Sequence, residues 1–313
     1  MNGLKIIFMG TAELSCASLE KLAQRPQFQI TAVVTQPDKP KGRDLKLQPP
    51  PVKLLAQEFG LPVLQPPKAR DENFISQLRT LEPDLIVVVA YGHILPQAIL
   101  DLPVFGCLNV HTSLLPKYRG AAPIQWAIAN GEIETGVTIM KMDAGMDTGP
   151  VLSQARTSIL PEDDSSVLHN RLAQLGAELL LNTIPDYVGG KILPKLQLED
   201  ASYAPKIKKE DGQIDWNRPA QSIRDRLRAF TPWPGAFTFL KTETKPCLVK
   251  VWRAEVAGKS GTVGEILSAD ESGIVVACGK DALRILELQR EGGRRMSARE
   301  FLAGHTLKTG EKL

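Results

Sequence analysis

Short apolar runs alternate with helix-period segments through the first half of the chain. LKIIFM (4–9), QITAVV (29–34), PDLIVVVA (83–90) and GCLNVH (106–111) are nearly continuous in apolar or β-branched residues, and LSCASLEKLAQR (14–25) repeats its apolar positions at helical spacing. Strands apolar on both faces and separated by helices are what a parallel sheet covered on both sides requires, so an α/β domain is expected here. A long helix is expected from Ser165 to about Tyr187, with Asp163 and Asp164 favouring its first turn. From 190 to 208, Gly, Pro and charge mix without a period, as in an interdomain linker. Beyond it, WNRPAQSIRDRLRAF (216–230) has a helical pattern. GAFTFL, CLVKVWRAEV, TVGEIL, GIVVAC and ALRILELQR then follow as short strands with Gly or Asp turns, the pattern of a small antiparallel barrel. The expected division is 1–189, a linker 190–208, and 209–313.

Length changes this picture little, since 313 residues make two domains the natural prior. Charge changes it more. The formal net charge is only +3, but from residue 206 onward Lys and Arg outnumber Asp and Glu by six, whereas before it acids outnumber bases by three. A basic module behind an acidic one suits a polyanionic partner. The segment Thr35–Lys53, TQPDKPKGRDLKLQPPPVK, adds five prolines and five basic residues against two acids. By composition it is either a solvated linker or a semi-rigid basic loop. Cys16, Cys107, Cys247 and Cys278 are far apart, showing neither a metal-ligand spacing nor a disulfide framework, and no His, Cys or acid cluster has the spacing of a metal site. No run approaches a membrane span, and the apolar start is too short for a signal-peptide core. A cytoplasmic protein is expected, and a monomer, because no coiled-coil signal or apolar surface stripe is visible.

The candidate chemistry lies at strand ends. In CLNVHTSLLP the strand period of two puts Asn109 and His111 on one face and turns Val110 away. An imidazole can exchange protons near neutral pH, and a neighbouring amide N–H can hold a developing oxyanion. Asn-x-His at a strand end also serves turns and caps, so the spacing alone leaves both readings open. Downstream, GVTIMKM runs into DAGMDTGP, where two acids sit among glycines. Asp147 is the better partner for His111, while Asp143 suits a turn. His93 lies just past another apolar strand, where backbone groups and Tyr91 could line a pocket. His169 and His305 have no companions. MGTAELS lacks G-x-G-x-x-G, and no P-loop motif occurs, which argues against nicotinamide and ATP chemistry.

Taken together, Asn109-Val-His111, Ser113-Leu-Leu-Pro116, Arg119-Gly-Ala-Ala-Pro123 and Met142-Asp-Ala-Gly-Met-Asp147-Thr-Gly resemble the folate-dependent formyltransferases. TQPDKPKGR (35–43), SYAPKIKKEDGQIDW (202–216) and RAFTPWPGA (228–236) narrow the likeness to the branch whose acceptor is initiator methionyl-tRNA, and it covers essentially the whole chain. The resemblance implies a Rossmann-like catalytic domain, a C-terminal OB-like β-barrel, and 10-formyltetrahydrofolate as formyl donor. It also implies that Asn109, His111 and Asp147 are catalytic, that Ser113, Leu114, Leu115 and Pro116 contact the folate, and that Lys41 and Arg43 engage the tRNA. The rival readings are a formyltransferase acting on an amino-sugar nucleotide or purine precursor, and a noncatalytic RNA-binding protein.

Overall fold

The computed structural model describes residues 3–41, 46–197, 200–240 and 246–313. They form two compact units, one of Met1–Pro123, Glu134–Ser158 and His169–Ala204, the other of Ile124–Ile133, Ile159–Leu168 and Pro205–Leu313.

The elements of the N-terminal half are, in order, β1 (Leu4–Gly10), α1 (Leu14–Ala23), β2 (Phe28–Val34), β3 (Lys39–Lys41), β4 (Lys46–Gln48), α2 (Pro51–Glu58), β5 (Val63–Leu64) and α3 (Glu72–Thr80). After them come β6 (Leu85–Val89), α4 (Gln97–Leu100), β7 (Cys107–His111), β8 (Arg119–Gly120), α5 (Pro123–Ala129), β9 (Glu134–Lys141), β10 (Val151–Ser158), α6 (Ser165–Val188) and β11 (Tyr203–Ala204). Seven strands join in the order β10-β9-β7-β6-β1-β2-β5. The five from β7 to β5 are parallel, as their apolar runs require, and β6 is buried at every residue. The sheet is not parallel throughout. β9 returns antiparallel to β7, and β10 antiparallel to β9, and the half-polar VLSQARTS of β10, with half-buried and exposed residues alternating from Ser153 onward, suits an edge strand.

From β1 the chain continues to β2 on one side, and β6 lies on the other. The sequence order therefore diverges there, opening a crevice at the carboxyl ends of β1 and β6, the place where such sheets bind ligands. Polar side chains stitch these exits together: Ser15 Oγ donates to Val89 O (2.6 Å), and Thr11 Oγ1 and Gln36 Nε2 both donate to Tyr91 O (2.9 Å each). The Pro-rich basic segment contains the β3–β4 hairpin. At its base Asp38 accepts from Gln65 Nε2 (2.7 Å) and Lys53 Nζ (2.8 Å), and these two bonds hold its carboxyl below the usual carboxylate range. Arg43 and the side chain of Lys41 lie outside the described residues.

The long helix forms where the pattern predicts it. Asp164 Oδ1 caps it by accepting from the backbone N–H groups of Ser166 and Val167 (2.9 Å each). The expected linker is not free of structure, because β11 pairs in parallel with β8 and Lys195 bridges Val151.

The second unit holds α7 (Ala220–Ala229), β12 (Ala236–Leu240), β13 (Cys247–Ala257), β14 (Ile266–Asp270), β15 (Gly273–Ala277), β16 (Ala282–Arg290), β17 (Met296–Ser297) and α8 (Ala298–Gly304). Its strands are antiparallel, in the order β12-β13-β16-β15-β14 with β17 on β16. Register shifts around Arg253 bend the long β13, and Trp216, Ile223, Leu227, Val251, Ile285 and Phe301 fill the core beneath. TVGEIL becomes a strand only from Ile266, because Gly264 turns at φ +80°.

Candidate functional site

At the carboxyl ends of β6 and β7 lies a cavity of about 580 Å³, within the range of roughly 300–1,000 Å³ typical of small-molecule sites. Val88, Ala90, Tyr91, His93, Ile94 and Leu95 line one side, Asn109, Val110, His111 and Thr112 another, and Met140 with the turn 142–147 a third. Tyr91 is 2% exposed, and burial pushes its phenol up to about 12, so it stays protonated near neutral pH. His93 tilts against it, ring centroids 5.3 Å apart.

The β7 backbone is paired on both sides, Asn109 with Val88 and with Met140, so its pleat is fixed. Asn109 and His111 are therefore presented from the same strand face. Asp147 reaches them from the DAGMDTG turn, in the left-handed region at φ +53°, a conformation Asp tolerates better than most residues. Its Oδ1 accepts from Asn109 Nδ2 (3.4 Å), and its Oδ2 accepts from Gly120 N (2.8 Å) and lies 3.6 Å from His111 Nδ1. The turn is tight: a Cβ on Gly149 would sit 1.9 Å from Lys141 O, so only glycine fits.

His111 is 6% exposed, with Nε2 3.0 Å from Tyr118 O. A carbonyl only accepts, so Nε2 carries hydrogen, and Nδ1, facing Asp147, is the atom whose proton can come and go. Asn109 has a second N–H beyond the one aimed at Asp147, which can serve a bound oxygen. Tyr118, which supplies the orienting carbonyl, is itself at φ +62°, and Ala90 on the cavity wall is at φ +44°. Backbone held in sparsely populated conformations clusters where side chains or carbonyls must be aimed.

The structure thus brings Asn109, His111 and Asp147 together. Ser113, Leu114, Leu115 and Pro116 follow directly on the exit of β7 and are not among the residues that line the cavity. Ser113 Oγ donates to Lys117 O (2.6 Å), and Thr138 Oγ1 donates to Ser113 O (2.7 Å) and accepts from Leu115 N (3.1 Å). Gln154 Nε2 donates to Leu115 O (2.8 Å). These bonds fix the backbone of the loop after β7. Asp143, as its sequence suggested, serves a turn, accepting from Gly145 N (3.0 Å) and Thr148 Oγ1 (2.7 Å).

Sequence reasoning missed Gln197, inside the expected linker. Its Nε2 donates to Asp147 O (2.8 Å) and Gly149 O (2.7 Å), and its Oε1 accepts from Arg119 Nη2 (2.7 Å) and Nε (3.0 Å).

Comparison with known proteins agrees with this architecture. Residues 4–184 match the family described as formyl transferase, and residues 206–306 match the formyl transferase C-terminal domain. The methionyl-tRNA formyltransferase of Geobacter sulfurreducens is 52% identical over 314 aligned positions, covering 100% of this chain and 98% of the relative. That of Citrifermentans bemidjiense is 53% identical, covering 99% and 96%. Among solved structures, an N-formyltransferase from Helicobacter canadensis, in complex with folinic acid and dTDP-3-aminofucose, superposes with a TM-score of 0.65 at 18% identity, over 90% of this chain and 99% of that one. HypX from Aquifex aeolicus gives 0.64 at 19% identity, over 98% of this chain and 49% of that one.

Proposed function

We propose, from the premise that this chain belongs to the methionyl-tRNA formyltransferase family, that Asn109, His111 and Asp147 transfer the formyl group of 10-formyltetrahydrofolate to the α-amino group of initiator methionyl-tRNA. The observation that carries this reading is the convergence of an amide, an imidazole and a carboxylate where two sides of the cavity meet. The cavity suits the donor: its apolar sides, including Leu14, Val88, Ile94, Leu95 and Met140, match a flat heteroaromatic ring, and its polar groups cluster at the end where a formyl carbon would be handled. The bound donor supplies an activated formyl group; the residues of this chain do the rest.

The neutral acceptor amine attacks the formyl carbon, and the carbonyl electron pair moves onto oxygen. The free Asn109 N–H and the Nδ1–H of protonated His111 hold that oxyanion. As the tetrahedral intermediate collapses, the carbon–nitrogen bond to the donor breaks. His111 gives its proton to the departing nitrogen, and its freed Nδ1 takes one from the newly acylated amine. Asp147 keeps the imidazole oriented, its Oδ2 lying 3.6 Å from Nδ1. Ser113, Leu114, Leu115 and Pro116, directly after the strand that carries Asn109 and His111, contact the folate donor.

In this reading residues 1–189 are the catalytic module, 190–208 the connection and 209–313 a basic RNA-binding module. The chain works as a cytoplasmic monomer. Among the described residues no helix is long and apolar enough to cross a membrane. Lys41 and Arg43 of the Pro-rich basic segment meet the end of the acceptor stem, where their charge attracts the phosphates and the N–H groups of Arg43 can read a base edge.

The test offers 10-formyltetrahydrofolate with charged initiator tRNA, charged elongator tRNA, free methionine and a dTDP-amino sugar. Formylation of initiator methionyl-tRNA well above the others is expected; preference for the amino sugar would overturn the reading. Arg43→Ala should retain donor KM while weakening initiator-over-elongator discrimination by about 10-fold, the weight of one good polar contact. Unchanged discrimination removes the Pro-rich basic segment from recognition.

A further inference from the structure

Gln197 lies in the stretch between the two family matches, which end at 184 and resume at 206, yet its side chain makes four hydrogen bonds around the catalytic turn. We propose that Gln197 is a positioning residue for the reaction: a strap that sets the Asp147 carboxylate by holding the backbone carbonyls on both sides of Thr148. The inference rests on the reading of Asp147 as catalytic.

The two halves of the amide have different tasks. The Nε2 donor spans Asp147 O and Gly149 O (2.8 and 2.7 Å), closing a turn whose first residue is at φ +53°. The Oε1 acceptor is gripped by Arg119 through Nη2 and Nε (2.7 and 3.0 Å), so the amide cannot rotate and its donor end stays aimed at the turn. Arg119 is itself fixed, because its N–H donates to Ser202 O (2.8 Å) and it pairs with Tyr203 in the β8–β11 ladder. The next residue, Gly120, donates its N–H to Asp147 Oδ2 (2.8 Å). The carboxylate is thus held directly by Gly120 N–H, while its own backbone is held, through Gln197, by Arg119. Gly120 tolerates no side chain there, since it is at φ +120° and a Cβ would lie 2.7 Å from Ala204 O. Two consecutive residues, one through its backbone and one through its guanidinium, therefore place one catalytic carboxylate, and the second path runs through Gln197.

A nearly isosteric change separates this role from simple packing. Gln197→Glu keeps, and strengthens, the bonds from Arg119 but turns two donor contacts into acceptor facing acceptor. In the full-length protein the expected result is a melting temperature within a few degrees of wild type, KM values for both substrates within about 2-fold, and kcat lowered about 10-fold, the factor equivalent to roughly one lost hydrogen bond. Because Gln197 acts through Asp147, adding Gln197→Glu to Asp147→Asn should cost little more than Asp147→Asn alone. Wild-type kcat in Gln197→Glu, or a second full 10-fold loss on the Asp147→Asn background, overturns the inference. If Asp147→Asn itself has wild-type kcat, it is the reading of the catalytic carboxylate that fails.

Discussion

Asp147→Asn should lower kcat about 1,000-fold, within the roughly 100- to 10,000-fold range of acid–base assistance, with KM for the donor nearly unchanged. Both carboxylate oxygens act as acceptors, Oδ2 from Gly120 N–H and Oδ1 from Asn109 Nδ2. An asparagine has one oxygen and one NH2, so either orientation sets N–H against N–H, towards Gly120 or towards Asn109. The charge opposite His111 Nδ1 is lost as well. Asparagine tolerates the left-handed backbone of position 147 as well as aspartate does, so the variant should melt near wild type. Steady-state kinetics beside a thermal melt measure both, and a folded variant with wild-type kcat would remove Asp147 from the chemistry.

Asn109→Ala should lower kcat by roughly 100- to 1,000-fold, the loss seen when an oxyanion donor is removed. The backbone of position 109 keeps its pairing with Val88 and Met140, so the strand and the placement of His111 survive. Two donors disappear: the N–H open to the cavity and the one aimed at Asp147. Pre-steady-state measurement should find donor binding intact and the transfer step slow. If the loss appears only in donor affinity, Asn109 binds the ground state and is not the oxyanion donor.

The most legible features were those set by local period and strand chemistry. Continuous apolar runs marked β1, β2, β6 and β7, and alternation put Asn109 and His111 on one face, as the paired backbone of β7 now shows. Asp164 announced the start of α6. Less legible was whatever depends on contacts distant in sequence. β10 is half polar, so its return as an antiparallel edge left only a weak pattern. Gln197 sits fifty residues from Asp147 in a stretch without any period; the available hint was an expected linker that also carried motif residues at 202–216. The motif Ser113–Pro116 pointed to a functional neighbourhood but not to the bonds through Thr138 and Gln154 that fix its backbone. The orienting carbonyl of Tyr118 was invisible because backbone direction at φ +62° is not written in the side chain.

In the proposed reaction an amide, an imidazole and a carboxylate serve one carbonyl as a unit. Single-turnover formyl transfer to initiator methionyl-tRNA, measured for Asn109→Ala, His111→Ala, Asp147→Asn and the triple variant, tests this directly. Groups that act as a unit are strongly non-additive, so the triple variant should be only slightly slower than the slowest single one. Losses that multiply across the three substitutions would show three independent contributions and contradict the claim.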